Sequence, residues 1–96
     1  MDPDQAIQKA TLLLDLKSDA DGAETLLREV LAEHSAVTPS RVRAQIFLGE
    51  LLLERGKAKG AAELQEALSA ELPAEWTDVL AADLARARRA LGRADA

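Results

Sequence analysis

At 96 residues the chain is long enough for one small domain, and its apolar residues are mostly Leu and Ala, with Phe47 and Trp76 as the only aromatic residues. Because Val, Ile and Thr are scarce while Ala, Leu, Glu, Gln and Arg are common, the composition favours α-helices and argues against strands. No cysteine is present, which excludes disulfides and thiolate metal sites, and the net charge of −5, concentrated in residues 1–40, disfavours a nucleic-acid partner.

The first two predicted helices form a pair with a short break between them. The first begins at Asp2, which a proline follows, and runs to about Leu16 before a polar break at residues 17–19. The second begins at Asp21, which forms a capping-box pattern with Glu24 three residues later. Its apolar side recurs at helical spacing and predicts one buried face: Ala23, Leu26, Leu27, Val30, Leu31 and His34.

A second pair of helices follows a longer connection. The third helix begins at Thr38, which a proline also follows, and is predicted to end at Arg55 before a left-handed turn at Gly56. Gly49 lies in the middle of this helix and costs about 1 kcal/mol relative to Ala, so we expect another backbone to approach the helix closely there. The fourth helix is predicted over about residues 59–71.

The last predicted helix spans about residues 74–92. Its apolar residues recur at intervals of three and four, which indicates one continuous amphipathic seam: Trp76, Leu80, Leu84, Ala87 and Leu91. Arginines crowd its last turns from Arg86 to Arg93, where basic residues complement the C-terminal end of the helix dipole. We interpret them as a solvated helix end, and a nucleic-acid contact is the less favoured alternative.

Breaks, caps and apolar stripes recur between the two halves at an offset of 38 residues, which pairs Gly22 with Gly60 and Leu26 with Leu64. A helix-turn-helix unit of this kind resembles the tetratricopeptide repeat (TPR). The resemblance depends on residues that match the family's pattern in the second unit: Leu48, Gly49, Gly56, Ala61 and Pro73. The sequence departs from that pattern where the family usually carries large aromatic residues: Gln45, Leu52 and Gln65.

The resemblance implies an all-α fold in one domain over residues 1–96, a TPR-like right-handed stack of five antiparallel helices. Repeat 1 is predicted at about residues 4–35, repeat 2 at about 41–73, and a capping helix at about 74–92. A compact five-helix bundle explains the same apolar stripes without the family and remains the alternative.

The TPR resemblance also implies a concave face that binds a peptide or helix of a partner protein. We assign to it residues that the core stripes leave over: Leu12, Leu16, Arg43, Ile46, Glu50, Leu53, Leu80 and Leu84. An apolar strip with an acidic rim fits an apolar or basic peptide better than an acidic one. The alternative is that these apolar residues pack against one another inside a tighter bundle.

Two functions follow from this face. One is a non-enzymatic adaptor that binds a partner protein, and the other is a structural or assembly subunit that buries the same face in a homodimer.

No Cys or Tyr is available for catalysis, and we interpret the only histidine, His34, as bonded to carbonyls at the end of its helix. The sequence predicts no cofactor, no metal, and no nucleic-acid or membrane partner. The opening MDPDQ lacks signal-peptide features and no apolar run approaches about 20 residues, so we expect a cytoplasmic protein.

Overall fold

A computed structural model describes residues 1–94, which form six helices and no strands. The helices are α1 (Pro3–Lys17), α2 (Ala20–Glu33), α3 (Pro39–Glu54), α4 (Lys59–Ser69), α5 (Ala74–Val79) and α6 (Ala81–Ala94). Within this described range, none of them has the length and apolar character needed to cross a bilayer. The all-α prediction is confirmed, and residues 95–96 of the predicted domain lie outside the described residues.

Acidic side chains fix the starts of the first two helices by accepting hydrogen bonds from free backbone amides. Asp2 and Gln5 form a reciprocal capping box at α1. At α2 the cap is Asp19, whose carboxylate accepts a hydrogen bond from the Gly22 amide at 2.8 Å. The prediction that Asp21 caps this helix is therefore wrong, because α2 begins at Ala20 and Asp21 already lies in its first turn.

Both α1 and α3 end at a residue in the left-handed conformation. Ser18 after α1 has a φ of 52°, and Gly56 after α3 has a φ of 73°. The Ser18 amide donates to the Leu13 carbonyl, and the Lys57 amide donates to the Leu52 carbonyl at 2.8 Å. These bonds satisfy carbonyls of the last helical turn, which is the usual role of a left-handed residue at a helix end. The predicted stop at Gly56 is confirmed.

The predicted capping helix at residues 74–92 is two helices, α5 and α6, so the prediction of five helices is wrong. The chain leaves helical geometry at Leu80, although the Leu80 amide still donates to the Trp76 carbonyl at 2.8 Å. Thr77 and Val79 lie just before the bend, and β-branched residues form helices less readily. The bend places the Leu80 side chain entirely inside the core.

α3 is the central element of the packing. It contacts α1, α2, α4 and α6, and α6 contacts both α3 and α4. Different faces of α3 contribute to two clusters of buried residues. The first cluster joins α1, α2 and α3: Ala6, Ala10, Ala23, Leu27, Val30, Ala44, Leu48, Leu51 and Leu52. The second joins α3, α4 and the chain from Leu80 onward: Val42, Ile46, Leu64, Ala67, Leu80, Leu84, Ala87 and Ala90.

Two glycines bring the backbones of α3 and α4 close together. A Cβ atom added at Gly49 would lie 2.7 Å from Cδ2 of Leu64, and one added at Gly60 would lie 2.6 Å from the Gly49 carbonyl oxygen. A side chain at Gly60 would therefore force a shift of the backbone, which costs free energy in a packed interior. The close helix crossing predicted from Gly49 is confirmed.

The protein is a plate about two helices thick. It measures 37 × 35 × 20 Å, and a helix with its side chains is about 10 Å across.

The buried residues of α2 and α4 correspond at an offset of 37 residues, which pairs Ala23 with Gly60 and Leu27 with Leu64. The offset of 38 residues predicted from the sequence, which pairs Leu26 with Leu64, differs by one residue from the offset observed for α2 and α4. Leu26 and Leu27 both fit the apolar stripe, and only packing distinguishes the fully buried one.

Candidate functional site

A concave surface between α1, α3 and α6 is the candidate site, and we call it the groove. It encloses about 380 Å³, a volume typical of ligand-binding clefts. Its floor is apolar and its rim is charged. The residues that line it are Ile7 and Leu14 of α1, Arg43, Phe47, Glu50, Leu51 and Glu54 of α3, and Asp83 and Arg86 of α6.

The helical period of α3 places four side chains along the groove. Arg43, Phe47, Glu50 and Glu54 are spaced by four, three and four residues, so they share one side of the helix. Other sides of α3 are taken up by the two core clusters. The groove is therefore the side of α3 that neither α1 nor α6 covers.

A chain of ion pairs connects the three helices at the rim. Arg43 lies 3.1 Å from Asp4 of α1 and 3.3 Å from Asp83 of α6, measured between nitrogen and oxygen. Arg86 lies 3.0 Å from Asp83 and 3.3 Å from Glu50 of α3. The Asp83 side chain is only 12% exposed, so water screens its attraction to the two guanidinium groups weakly. These pairs hold the rim in place before any ligand arrives.

The guanidinium of Arg86 stays charged throughout the physiological pH range. Partial burial disfavours its charged form, but the hydrogen bond and attraction to Glu50, and then those to Asp83, outweigh burial and raise the pKa of Arg86 above its usual value. The charge that ties α6 to α3 is therefore insensitive to pH.

The rim carries more negative than positive charge. Three carboxylates line the groove, those of Glu50, Glu54 and Asp83, and Asp4 lies beside it. They stand against the guanidinium groups of Arg43 and Arg86, each of which already contacts two carboxylates. Glu54 is exposed and forms no ion pair within residues 1–94. The charge that the rim of the groove leaves available to a ligand is therefore acidic, whereas the exposed Arg93 lines the neighbouring cavity at the end of α6.

A second cavity of about 260 Å³ extends the groove toward the end of α6. Glu50 and Glu54 belong to both cavities, whereas Leu53 and Arg93 line only the second. The two cavities together form an elongated surface, and an extended peptide or a short helix has the shape to occupy both.

Three of the eight predicted binding residues lie along this surface. Arg43 and Glu50 line the groove, and Leu53 lines its extension. Leu12 and Leu16 are 56% and 77% exposed, but they project from α1 on another side and line a separate cavity.

The prediction that Ile46, Leu80 and Leu84 lie on an exposed face is wrong. Ile46 and Leu80 have no exposed surface and Leu84 is 7% exposed, and all three belong to the second core cluster. The reason is that α6 packs directly on α3 and α4, so its apolar seam closes the core instead of lining a surface.

Six residues of the groove were not predicted from the sequence, namely the apolar floor and the part of the rim that α6 contributes: Ile7, Leu14, Phe47, Leu51, Asp83 and Arg86. Ile7 and Leu14 lie at helical spacing, but that spacing is equally typical of core residues. Phe47 carried a usable signal, because it lies four residues after Arg43 and three before Glu50 on one helix face. For Asp83 and Arg86 of α6 the sequence contains no such signal, since their role depends on where α6 packs.

A second set of ion pairs lies away from the groove and joins the two helix pairs. Glu24 of α2 contacts Arg28 at 3.1 Å, Arg55 at 2.9 Å and Lys57 at 2.8 Å. The hydrogen bond from Lys57 lowers the pKa of Glu24 most, partial burial opposes it, and Arg28 lowers it further, so that the pKa lies below the usual 4.5. Arg55 also pairs with Asp21. This cluster connects the turn after α3 to the start of α2.

The only histidine ties the N-terminus to the end of α2. Nε2 of His34 lies 2.8 Å from the Met1 carbonyl oxygen, so the imidazole does not cap its own helix as expected. The guanidinium of Arg41 donates to the His34 and Leu31 carbonyls instead. Among residues 1–94, no group of three or more His, Asp or Glu side chains is placed to hold a metal ion.

Comparison of the chain with protein-family models, with curated proteins and with solved structures gave no match. What the groove can bind therefore has to follow from its own shape and chemistry.

Proposed function

We propose that the chain is a cytoplasmic, non-enzymatic protein-interaction module that binds a peptide or helix of a partner protein in the groove. The apolar floor carries this proposal: Ile7, Leu14, Phe47 and Leu51 line a concave surface whose rim is held by ion pairs. A buried apolar centre with a polar rim is the usual anatomy of a protein-binding surface. An amphipathic segment fits it, because its apolar side chains can reach the floor while its polar side faces water.

The charge of the rim selects the partner segment. Glu54 is exposed and lies where the groove meets its extension, so a Lys or Arg of the ligand can pair with it without breaking an existing ion pair. An acidic ligand would meet Arg43 and Arg86 already engaged with carboxylates. The ligand we propose is therefore an apolar segment flanked by basic residues.

We further propose that the helices form a TPR-like stack of two hairpins and a terminal cap. The contacts support this: α3 packs on both helices of the α1–α2 pair, and α6 packs in the same way on both helices of the α3–α4 pair. Stacked hairpins produce such a repetition, since each unit buries its apolar face against its neighbour. In this architecture the groove lies on the concave side and α6 is the cap.

The proposal is tested by selecting random displayed peptides on the wild-type protein and measuring the enriched sequences by fluorescence anisotropy. We expect sequences that combine apolar residues with Lys or Arg. Glu54→Lys should weaken their binding by about 5- to 10-fold, because it replaces an attraction by a repulsion. Phe47→Ala should weaken binding by about 10-fold or more, because it removes an aromatic side chain from the floor.

Glu66→Lys is the matched control, since Glu66 is an exposed residue of α4 outside the groove and the substitution makes the same change in net charge. It should leave binding unchanged. Enrichment of acidic peptides, or equal effects of Glu54→Lys and Glu66→Lys, would contradict the proposal.

A further inference from the structure

The α1–α2 pair leaves apolar side chains uncovered on the side away from α3, and we call this surface the outer face. Leu12 is 56% exposed and Leu16 is 77% exposed, and with Leu13 and two lysines they line a shallow cavity of about 260 Å³ on α1. The α3–α4 pair has no such exposed leucines, because α6 packs on it. The outer face is distinct from the groove, with which it shares no residue.

A second concavity of about 430 Å³ lies beside these leucines, between α1 and α2. Leu13, Gly22, Thr25 and Leu26 are among the residues that line it. The carboxylate of Asp19, which caps α2, occupies the place that a side chain at Gly22 would take, so the hollow is polar at this end. The outer face therefore consists of a ridge of two leucines next to a hollow that is partly apolar.

The charges of the outer face are separated between its two helices. Lys9 and Lys17 lie on α1, whereas Asp21 and Glu29 lie on α2. Lys9, Lys17 and Glu29 form no ion pairs within the described range, and Asp21 remains 87% exposed although it contacts Arg55. A surface with bases on one side and acids on the other is complementary to a copy of itself turned by half a revolution.

We propose that the outer face binds a second copy of this chain in a two-fold symmetric dimer, with α1 of each copy over α2 of the other. This surface is independent of the groove and of the function proposed for it. α1 and α2 are connected by a two-residue turn, so Lys17 is level with Asp21, and Lys9 is level with Glu29. A two-fold axis parallel to the helices then places each lysine opposite the acid of the second copy.

The same arrangement gives the exposed leucines a place to pack. Leu12 and Leu16 of each copy project toward the hollow beside Gly22 and Leu26 of the other copy. The two helices of the outer face are each about 22 Å long and 10 Å wide, so together they present roughly 450 Å² per copy. This is below the area that each partner buries in a stable complex. The dimer is therefore weak, with a dissociation constant in the micromolar range or above.

Sedimentation velocity between about 5 µM and about 500 µM tests the proposal. We expect a shift from the 10.3 kDa monomer to a dimer as the concentration rises. Leu16→Gln should raise the dissociation constant by about 10-fold or more, since it removes an apolar side chain from the interface. Val79→Gln is the control: Val79 is 63% exposed but lies on α5, which packs against α6. A monomer at the highest concentration overturns the proposal, as does a dimer that Leu16→Gln does not weaken.

Exchange of charges tests the two-fold geometry separately. Lys9→Glu and Glu29→Lys should each raise the dissociation constant by about 3- to 10-fold, because each creates two like-charge contacts per dimer. A mixture of the two variants should form a heterodimer that is tighter than either homodimer, since opposite charges then face each other at both contacts. A mixture that is no tighter than the separate variants overturns the arrangement.

Two controls isolate this effect. A mixture of Lys59→Glu with Glu66→Lys carries the same net charges on exposed residues of α4 and should show no gain. The groove variant Glu54→Lys should dimerise like the wild type, so failure of the dimer and failure of the groove are read out separately. A heterodimer gain equally large for the α4 variants would overturn the assignment to the outer face.

Discussion

The two helix pairs of this protein have similar sequences but different surroundings. The α3–α4 pair is enclosed between the α1–α2 pair and α6, whereas α3 is the helix of residues 1–94 that packs closely on the α1–α2 pair. Leu80, which closes the enclosed side, has no exposed surface, and Leu16 on the open side is 77% exposed. Whether a leucine stabilises the fold or remains available to another molecule therefore depends on whether a further helix packs against that leucine.

Truncation of one leucine on each side should give the largest contrast. Leu80→Ala should lower the free energy of unfolding by about 2–5 kcal/mol, because it removes a fully buried side chain and leaves a cavity. Leu16→Ala should change it by less than about 0.5 kcal/mol, since the side chain is mostly in water already. Urea unfolding followed by circular dichroism measures both values. Similar losses for the two variants would mean that the open side is as tightly packed as the enclosed one.

The glycine crossing distinguishes the second pair from the first, where Ala23 occupies the position that corresponds to Gly60. Gly60→Ala should destabilise the protein by about 1–3 kcal/mol, because its Cβ atom would lie 2.6 Å from the Gly49 carbonyl oxygen and 2.8 Å from the Leu53 amide nitrogen.

Gly92→Ala is the control for helix propensity, since a Cβ atom there meets nothing within 4 Å. It should be neutral or should stabilise α6 by up to about 1 kcal/mol. If Gly60→Ala stabilises to the same extent, the two helices of the second pair can separate without cost.

Glu24 couples the two pairs, and its contribution should depend on pH. Glu24→Gln should cost about 1–2 kcal/mol near neutral pH, because it removes the charge that Lys57, Arg55 and Arg28 share. Since the pKa of Glu24 is lowered in the folded protein, this stability is present above 4.5 and is lost as the pH falls through the lowered pKa.

Unfolding of the wild type and of Glu24→Gln should therefore be compared between about pH 3 and about pH 7. The difference between them should shrink toward the acid end. A difference that stays constant over this range would show that the carboxylate is not the source of the stability.

The two left-handed helix ends should give the smallest effect, with the opposite sign. α1 ends at Ser18 where α3 ends at Gly56, and only glycine adopts a positive φ without a steric cost from Cβ. Ser18→Gly should therefore stabilise the protein by about 0.5–1 kcal/mol. Thermal unfolding checks this, and Gly56→Ser should lower the melting temperature. A loss of stability in Ser18→Gly would mean that the serine hydroxyl has a role that outweighs the strain.

Local chemistry accounts for the parts of the fold that could be predicted. The helix starts at Asp2 and Thr38, the stop at Gly56 and the crossing at Gly49 depend on residues near one another in the chain or on the size of one residue. The all-α class follows from composition and helical spacing in the same way. The helix starts and the stop are set by backbone geometry and side-chain capping, which do not need a neighbouring helix, and only the crossing at Gly49 involves a second helix, α4.

The candidate site was predictable only where one helix determines it. Arg43 and Glu50 lie on one face of α3, so their place in the groove follows from helical spacing. Asp83 and Arg86 reach the groove because α6 packs on α3 and α4, and the same packing buries Leu80 and Leu84. Helical spacing cannot distinguish these cases, since a rotation of α6 by one residue would exchange them.

By itself the sequence determined where most helices begin and end and which sides of them are apolar, because capping and helical period act within a few residues. Tertiary structure decided which apolar sides are covered: α6 closes the second core, whereas no helix of residues 1–94 covers Leu12 and Leu16 on the outer face. The physical reason is that burial belongs to a pair of surfaces, and a sequence pattern describes only one of them.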